Sequence, residues 1–103
     1  MNDILFELNI RLNNNISKQN EIEKSIVFLP KGHVNKLYRN NRGYYYLTYR
    51  EDNKIKNDYL GPENKFDLNP IFNRLKQREI AEKTLKELRS EEKKLRKLIK
   101  IAK

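Results

Sequence analysis

Gly43-Tyr44-Tyr45-Tyr46-Leu47-Thr48-Tyr49-Arg50 is the stretch on which the reading of this chain turns. It holds four of the six tyrosines and is set among arginines and lysines. Tyr favours strands because its ring fits a pleated, half-buried surface. Successive side chains of a strand point to opposite faces. The run is therefore predicted to be a strand that divides its rings between a core and a basic, solvated surface.

The flanking residues extend this strand to a meander over residues 33–61. Asn40-Asn41-Arg42-Gly43 and Glu51-Asp52-Asn53 are rich in turn-forming residues. They separate Val34 to Arg39, Tyr44 to Arg50 and Lys54 to Leu60, and Gly61-Pro62 closes the last strand. Turns of that length place Tyr49 opposite Val34 and Ile55, and Tyr45 opposite Tyr38 and Tyr59. The expected core face carries Val34, Tyr38, Tyr45, Leu47, Tyr49, Ile55 and Tyr59. The expected basic face carries Leu37, Arg39, Tyr44, Tyr46, Thr48, Arg50, Lys54, Lys56, Asp58 and Leu60. A slip of one residue exchanges these assignments.

Helices are predicted on either side, over 3–28 and 69–102. Leu5, Leu8, Leu12, Asn15, Gln19, Ile22, Ile26 and Leu29 recur in three- and four-residue steps, the spacing of a coiled-coil seam. Asn15 and Gln19 interrupt it with polar groups that fix register. Asn2 or Asp3 caps the start, and Leu29-Pro30-Lys31-Gly32 ends the helix. The second helix opens at Asn69-Pro70, an N-cap followed by the residue favoured at the first helical position. Without a further Gly or Pro it extends about 33 residues, roughly 50 Å. Its stripe is Ile71, Leu75, Ala81, Leu85, Leu88, Leu95, Leu98 and Ile99. The expected fold is α+β in a single small domain: an antiparallel, coiled-coil-like hairpin of long helices with a three-stranded antiparallel sheet inserted between them. A homodimer through the longer C-terminal helix is an alternative.

Composition narrows the chemistry. The 103 residues are 37% hydrophobic and 36% charged, with a mean hydropathy of −0.98. That is little apolar material for a broad core and favours a large surface. No Cys is present, which removes disulfides, thiolate zinc sites and Cys nucleophiles. The lone His33 has no Cys or second His as partner and stands beside the Pro30-Lys31-Gly32 turn. Glu51-Asp52 and Glu91-Glu92 lack the setting that general acid–base work needs. There is no Gly-rich phosphate loop and no metal-ligand spacing, so the chain is read as a non-enzyme without cofactor or metal. No apolar run approaches the ~20 residues of a membrane span. Met1-Asn2-Asp3 lacks a basic leader, and a cytoplasmic location is expected.

The net charge is +9. Residues 1–26 carry −1, residues 27–69 carry +3 and residues 70–103 carry +7. Charge of this size speaks of partners rather than fold, and basic proteins bind nucleic acid by counterion release. The frequent Asn, Lys and Ile also match AT-rich coding, which accounts for part of the lysine excess. Phosphates need Arg or Lys, and unstacked bases need exposed rings. The candidate contacts on the sheet are Arg39, Arg42, Tyr44, Tyr46, Arg50, Lys54 and Lys56. On the helix they are Lys86, Arg89, Lys93 and Arg96. The competing reading packs Tyr44 and Tyr46 under a helix, with lysines that merely blunt a sheet edge. On the helix, Glu79–Lys83, Glu82–Lys86 and Glu92–Arg96 are stabilising i,i+4 pairs.

The meander, from the tyrosine strand through Lys54-Ile55-Lys56 to Tyr59-Leu60-Gly61, resembles the three-stranded arm-type DNA-binding domain of tyrosine integrases. That resemblance implies a sheet laid in a DNA major groove and a supporting helix. No integrase catalytic domain accompanies it, so recombination is not implied. The order Leu29-Pro30-Lys31-Gly32, tyrosine strand, Tyr59-Leu60-Gly61 and long basic helix is also similar to an uncharacterised family of small prokaryotic proteins. Where that family often carries a cysteine pair, this chain has Asn40-Asn41-Arg42. The function expected is a nucleic-acid-binding accessory protein, with DNA and RNA both open. The alternative is a phage or mobile-element factor, anti-CRISPR-like, that binds and inhibits a nucleic-acid-handling protein through an acidic surface.

Overall fold

The computed structural model describes residues 3–103. Its elements run α1 (Asp3–Ile26), β1 (His33–Arg39), β2 (Arg42–Glu51), β3 (Lys54–Pro62) and α2 (Asn69–Ala102). This is the expected α+β arrangement, with the antiparallel sheet between the helices in sequence. Asn2, the alternative cap of α1, lies outside the described residues. Two compact units form. One combines the chain up to Phe28 with Glu79–Lys103, and the other is Leu29–Arg78. No helix among the described residues is long and apolar enough to cross a membrane.

In the helical unit, all the expected seam positions of α1 from Leu5 to Ile26 are buried or half-buried. Leu12, Leu95 and Ile99 form the core, with Leu5, Leu8 and Ile16 against it. Further along α1, Asn15 meets Leu88 and Glu91, and Glu23 meets Arg89, so the helices run antiparallel. Leu98 departs from the expected stripe and is 49% exposed. The half-buried Glu92 instead fills the stripe between Leu88 and Leu95.

The polar interruption of the seam is fully satisfied. Asn15 is 2% exposed. Its Nδ2 donates to the Leu88 carbonyl at 2.9 Å and to Glu91 Oε1 at 3.0 Å. Gln19 Nε2 donates to Asn15 Oδ1 at 2.6 Å and to Glu92 Oε1 at 2.8 Å. These bonds hold the Glu92 carboxyl below the usual range, with the Gln19 bond the main cause and Arg96 at 2.7 Å the next. Asn15→Ala leaves part of this network unpaired in a buried place and should cost about 1–3 kcal/mol in urea unfolding. Asn15→Leu with Gln19→Leu removes the polar groups together. It should recover that loss and, in sedimentation, yield mixed oligomers as the register signal disappears.

In the sheet unit, β2 is central, in the order β1-β2-β3. Both turns are shorter than expected. Asn40 and Asn41 have φ of 51° and 64°, and Asp52 and Asn53 have φ of 52° and 63°. Two central residues at positive φ make the two-residue type I′ turn whose twist matches a hairpin. Short Asn and Asp side chains tolerate that conformation. Arg39 therefore pairs with Arg42, and Val34 with Leu47 rather than Tyr49. That shift is even and leaves the faces of β1 unchanged.

The second turn corrects β3. Glu51 pairs with Lys54, Arg50 with Ile55 and Tyr46 with Tyr59. The expected pairs Tyr49–Ile55 and Tyr45–Tyr59 do not form. The offset is odd, so β3 turns over: Ile55, Asn57 and Tyr59 join Tyr44 and Tyr46, while Lys54, Lys56 and Asp58 go to the other face. A register irregularity at Tyr45/Tyr46 leaves Leu60 as the extra residue, and Gly61 then pairs with Tyr45. Asn53→Gly should keep or raise stability, whereas Asn53→Val, β-branched at positive φ, should lower it by about 1–3 kcal/mol in chemical denaturation.

The core of this unit lies on the face of Tyr45, Leu47 and Tyr49, where Leu47 is 7% exposed. The Phe66 ring sits on Gly61, leaving no room for a Cβ there. Arg78 Nη1 donates to the Leu29 carbonyl at 2.8 Å, joining the two ends of the unit. At the start of α2, the Phe72 N–H bonds the Leu68 carbonyl at 2.9 Å. Asn69 is thus the first helical residue, not the cap. Its N–H donates to the Asp67 carboxylate at 3.0 Å.

Candidate nucleic-acid interface

The face opposite Leu47 is open. From β1 it carries His33, Asn35, Leu37 and Arg39, and from β2 Arg42, Tyr44, Tyr46, Thr48 and Arg50. Ile55, Asn57 and Tyr59 complete it from β3. Leu37, Ile55 and Tyr59 are exposed, and Tyr44 and Tyr46 are half-buried. Tyr59 stands 5.4 Å from Tyr46 and 6.3 Å from Tyr44, centroid to centroid, with planes tilted by 57° and 50°. The three rings form one aromatic cluster across β2 and β3.

Beside the cluster runs a polar row. Asn35 Nδ2 donates to Thr48 Oγ1 at 2.6 Å, and Thr48 Oγ1 donates to Asn57 Oδ1 at 2.6 Å. One side chain from each strand is held in line. The face has no carboxylate on any of its strands. Its three guanidinium groups, on Arg39, Arg42 and Arg50, make no hydrogen bond or ion pair among the described residues. Unpaired cations on an acid-free surface give an unscreened positive potential.

The opposite face pairs two of its three lysines. Lys36 Nζ pairs with Glu63 at 3.1 Å and lies 5.2 Å over the Tyr38 ring. The Tyr38 hydroxyl and then Glu63 raise the Lys36 ammonium above its ordinary value. Lys56 pairs with Glu51 at 3.7 Å. Burial first and then Asp58 raise the Tyr49 hydroxyl.

Five sheet residues expected at the interface therefore share one face: Arg39, Arg42, Tyr44, Tyr46 and Arg50. Lys54 and Lys56 do not. Tyr59, Ile55, Asn35 and Asn57 belong to it and escaped the sequence reading. For the residues of β3 the missed signal was the dipeptide Asp52-Asn53, a type I′ candidate. Lys86, Arg89, Lys93 and Arg96 lie in the helical unit. Arg89 is held by Glu23 at 3.0 Å and Arg96 by Glu92 at 2.7 Å. Lys86 and Lys93 are exposed. No group of three or more potential metal ligands occurs among the described residues.

A family described as a domain of unknown function, DUF6788, matches residues 8–68, more than half of the chain. The chain belongs to the DUF6788 family. The DUF6788 segment covers most of α1 and the whole sheet, and it stops before α2. All of the open face lies within it. Comparison with curated proteins and with solved structures returns no match.

Proposed function

We propose that this protein is a non-enzymatic, nucleic-acid-binding accessory protein that uses the open sheet face. The observation that carries the reading is the contrast between the faces. Lys36 and Lys56 are paired with carboxylates, whereas among the described residues Arg39, Arg42 and Arg50 are unpaired, beside three clustered tyrosines. Arginine forks suit phosphate oxygens, and rings suit the faces of bases. The lysines of α2 add charge of the same sign.

Fluorescence anisotropy against labelled single-stranded and duplex DNA and RNA, at low and near-physiological salt, tests this. Tyr46→Ala with Tyr59→Ala should weaken binding by about 10–100-fold, since a stacked base is worth roughly 1–3 kcal/mol. Lys54→Ala with Lys56→Ala, on the other face, should change it by less than about threefold. Binding confined to low salt, or equal losses in both variants, would remove the open face from the reading.

A second reading, a binder and inhibitor of a nucleic-acid-handling protein, draws on Val27 and Phe28. These apolar side chains are 71% and 77% exposed beyond the end of α1. In that case Phe28→Ser abolishes pull-down of the partner and the tyrosine variants do not.

A further inference from the structure

The open face continues into a cleft at one end of the sheet. It lies between the start of β2 and the segment that follows β3, and its volume is about 520 Å³. That falls in the range of small-molecule sites, roughly 300–1,000 Å³. Tyr44 and Tyr59, two of the three clustered rings, form part of its wall, and Pro62 adds a third apolar surface. Because the rings are tilted by 50° and 6.3 Å apart, a flat group lies on one and meets the edge of the other.

The rim is polar in a particular way. Asn41 and Asn64, whose amides carry both donors and acceptors, line the cleft. Arg42 and Lys65 bring two cations, neither in an ion pair among the described residues. The single carboxylate, Glu63, is already engaged by Lys36 at 3.1 Å. Aromatic wall, amide edges and two free cations match the three parts of a nucleotide: base face, base edge and phosphate.

We propose that this cleft receives one unstacked nucleotide of a strand lying on the open face, so that the ligand is single-stranded nucleic acid. The base rests on Tyr44 or Tyr59, Asn41 and Asn64 meet its edge, and Arg42 and Lys65 take the adjoining phosphate. A base within a duplex is stacked on both sides and paired, and it reaches such a cleft only after leaving the helix. The cleft therefore sets the single strand above the duplex. This inference rests on the nucleic-acid reading of the face.

The test compares a short labelled single strand with its blunt duplex on the full-length protein, using wild type and Asn64→Ala/Lys65→Gln. Neither substituted side chain is part of the cluster of rings. Wild type should bind the single strand at least ~10-fold more tightly. The double variant should lose that margin, its affinity for the strand falling far more than its affinity for the duplex, with an unchanged thermal midpoint. Equal affinity for strand and duplex in wild type, or a margin that survives in the variant, overturns the cleft and leaves the face in place. Displacement of the strand by micromolar nucleoside 5′-monophosphate overturns the strand as occupant. Absence of binding to any polymer overturns the nucleic-acid reading and the cleft with it.

Discussion

Replacing Arg39, Arg42 and Arg50 together by alanine should reduce nucleic-acid affinity by on the order of 100-fold at low salt and flatten its salt dependence. For a single strand, each phosphate neutralised contributes about −0.7 to the slope of log K against log salt. Three lost contacts should therefore lower the slope by about two. The guanidinium groups hold no partner among the described residues, so the fold should be unaffected. Circular dichroism and the thermal midpoint should match wild type. That combination separates a ligand-facing role from a structural one, since a structural arginine takes stability with it when removed. An unchanged slope would place the phosphate contacts elsewhere, with the exposed Lys86 and Lys93 of α2 first in line.

Gly32→Ala should be the most damaging single substitution for stability, at about 3 kcal/mol or more. Gly32 has a φ of 108°, a conformation that side chains rarely adopt. A Cβ there would run into the Thr48 carbonyl and come within 2.9 Å of Tyr49 Cβ. Both obstacles belong to the central strand, so neither yields by rotating a side chain. The damage should reach the open face as well, because Thr48 holds Asn35 and Asn57 in line. Urea unfolding of Gly32→Ala beside Lys31→Ala, its exposed neighbour, measures the effect; near-equal midpoints would show that β2 gives way at little cost.

Gly32 also shows what the sequence conveys and what it does not. The glycine reads correctly as punctuation after α1, but its closeness to Thr48 is a tertiary fact that no local pattern carries. The seam of α1 was legible because a repeat of three and four residues survives any detail of packing. The polar Asn15 and Gln19 fit it because they satisfy one another and the carboxylates of α2. Leu98 was misplaced on the stripe because hydrophobicity alone cannot tell an inward position from its outward neighbour. The division of the sheet into faces depends on one residue in one turn. Reading Glu51-Asp52-Asn53 as the turn, in place of Asp52-Asn53, turns over β3 and trades Tyr59 for Lys54 and Lys56. Arg39, Tyr44, Tyr46 and Arg50 survived that error because they stand on β1 and β2, whose shared turn was misjudged by an even number.

The line of Asn35, Thr48 and Asn57 gives the open face a direction. A hydroxyl has one proton, so when it receives a bond from Asn35 and passes its own to Asn57, the sense of donation runs from β1 to β3. The outer amides then differ in what they have left: Asn35 keeps its whole oxygen and one N–H, and Asn57 its whole NH₂ and one lone pair. One margin of the face is richer in acceptors and the other in donors. A chain molecule with distinct ends is not met in the same way when it is turned round, so the face carries a sense of head and tail across its strands.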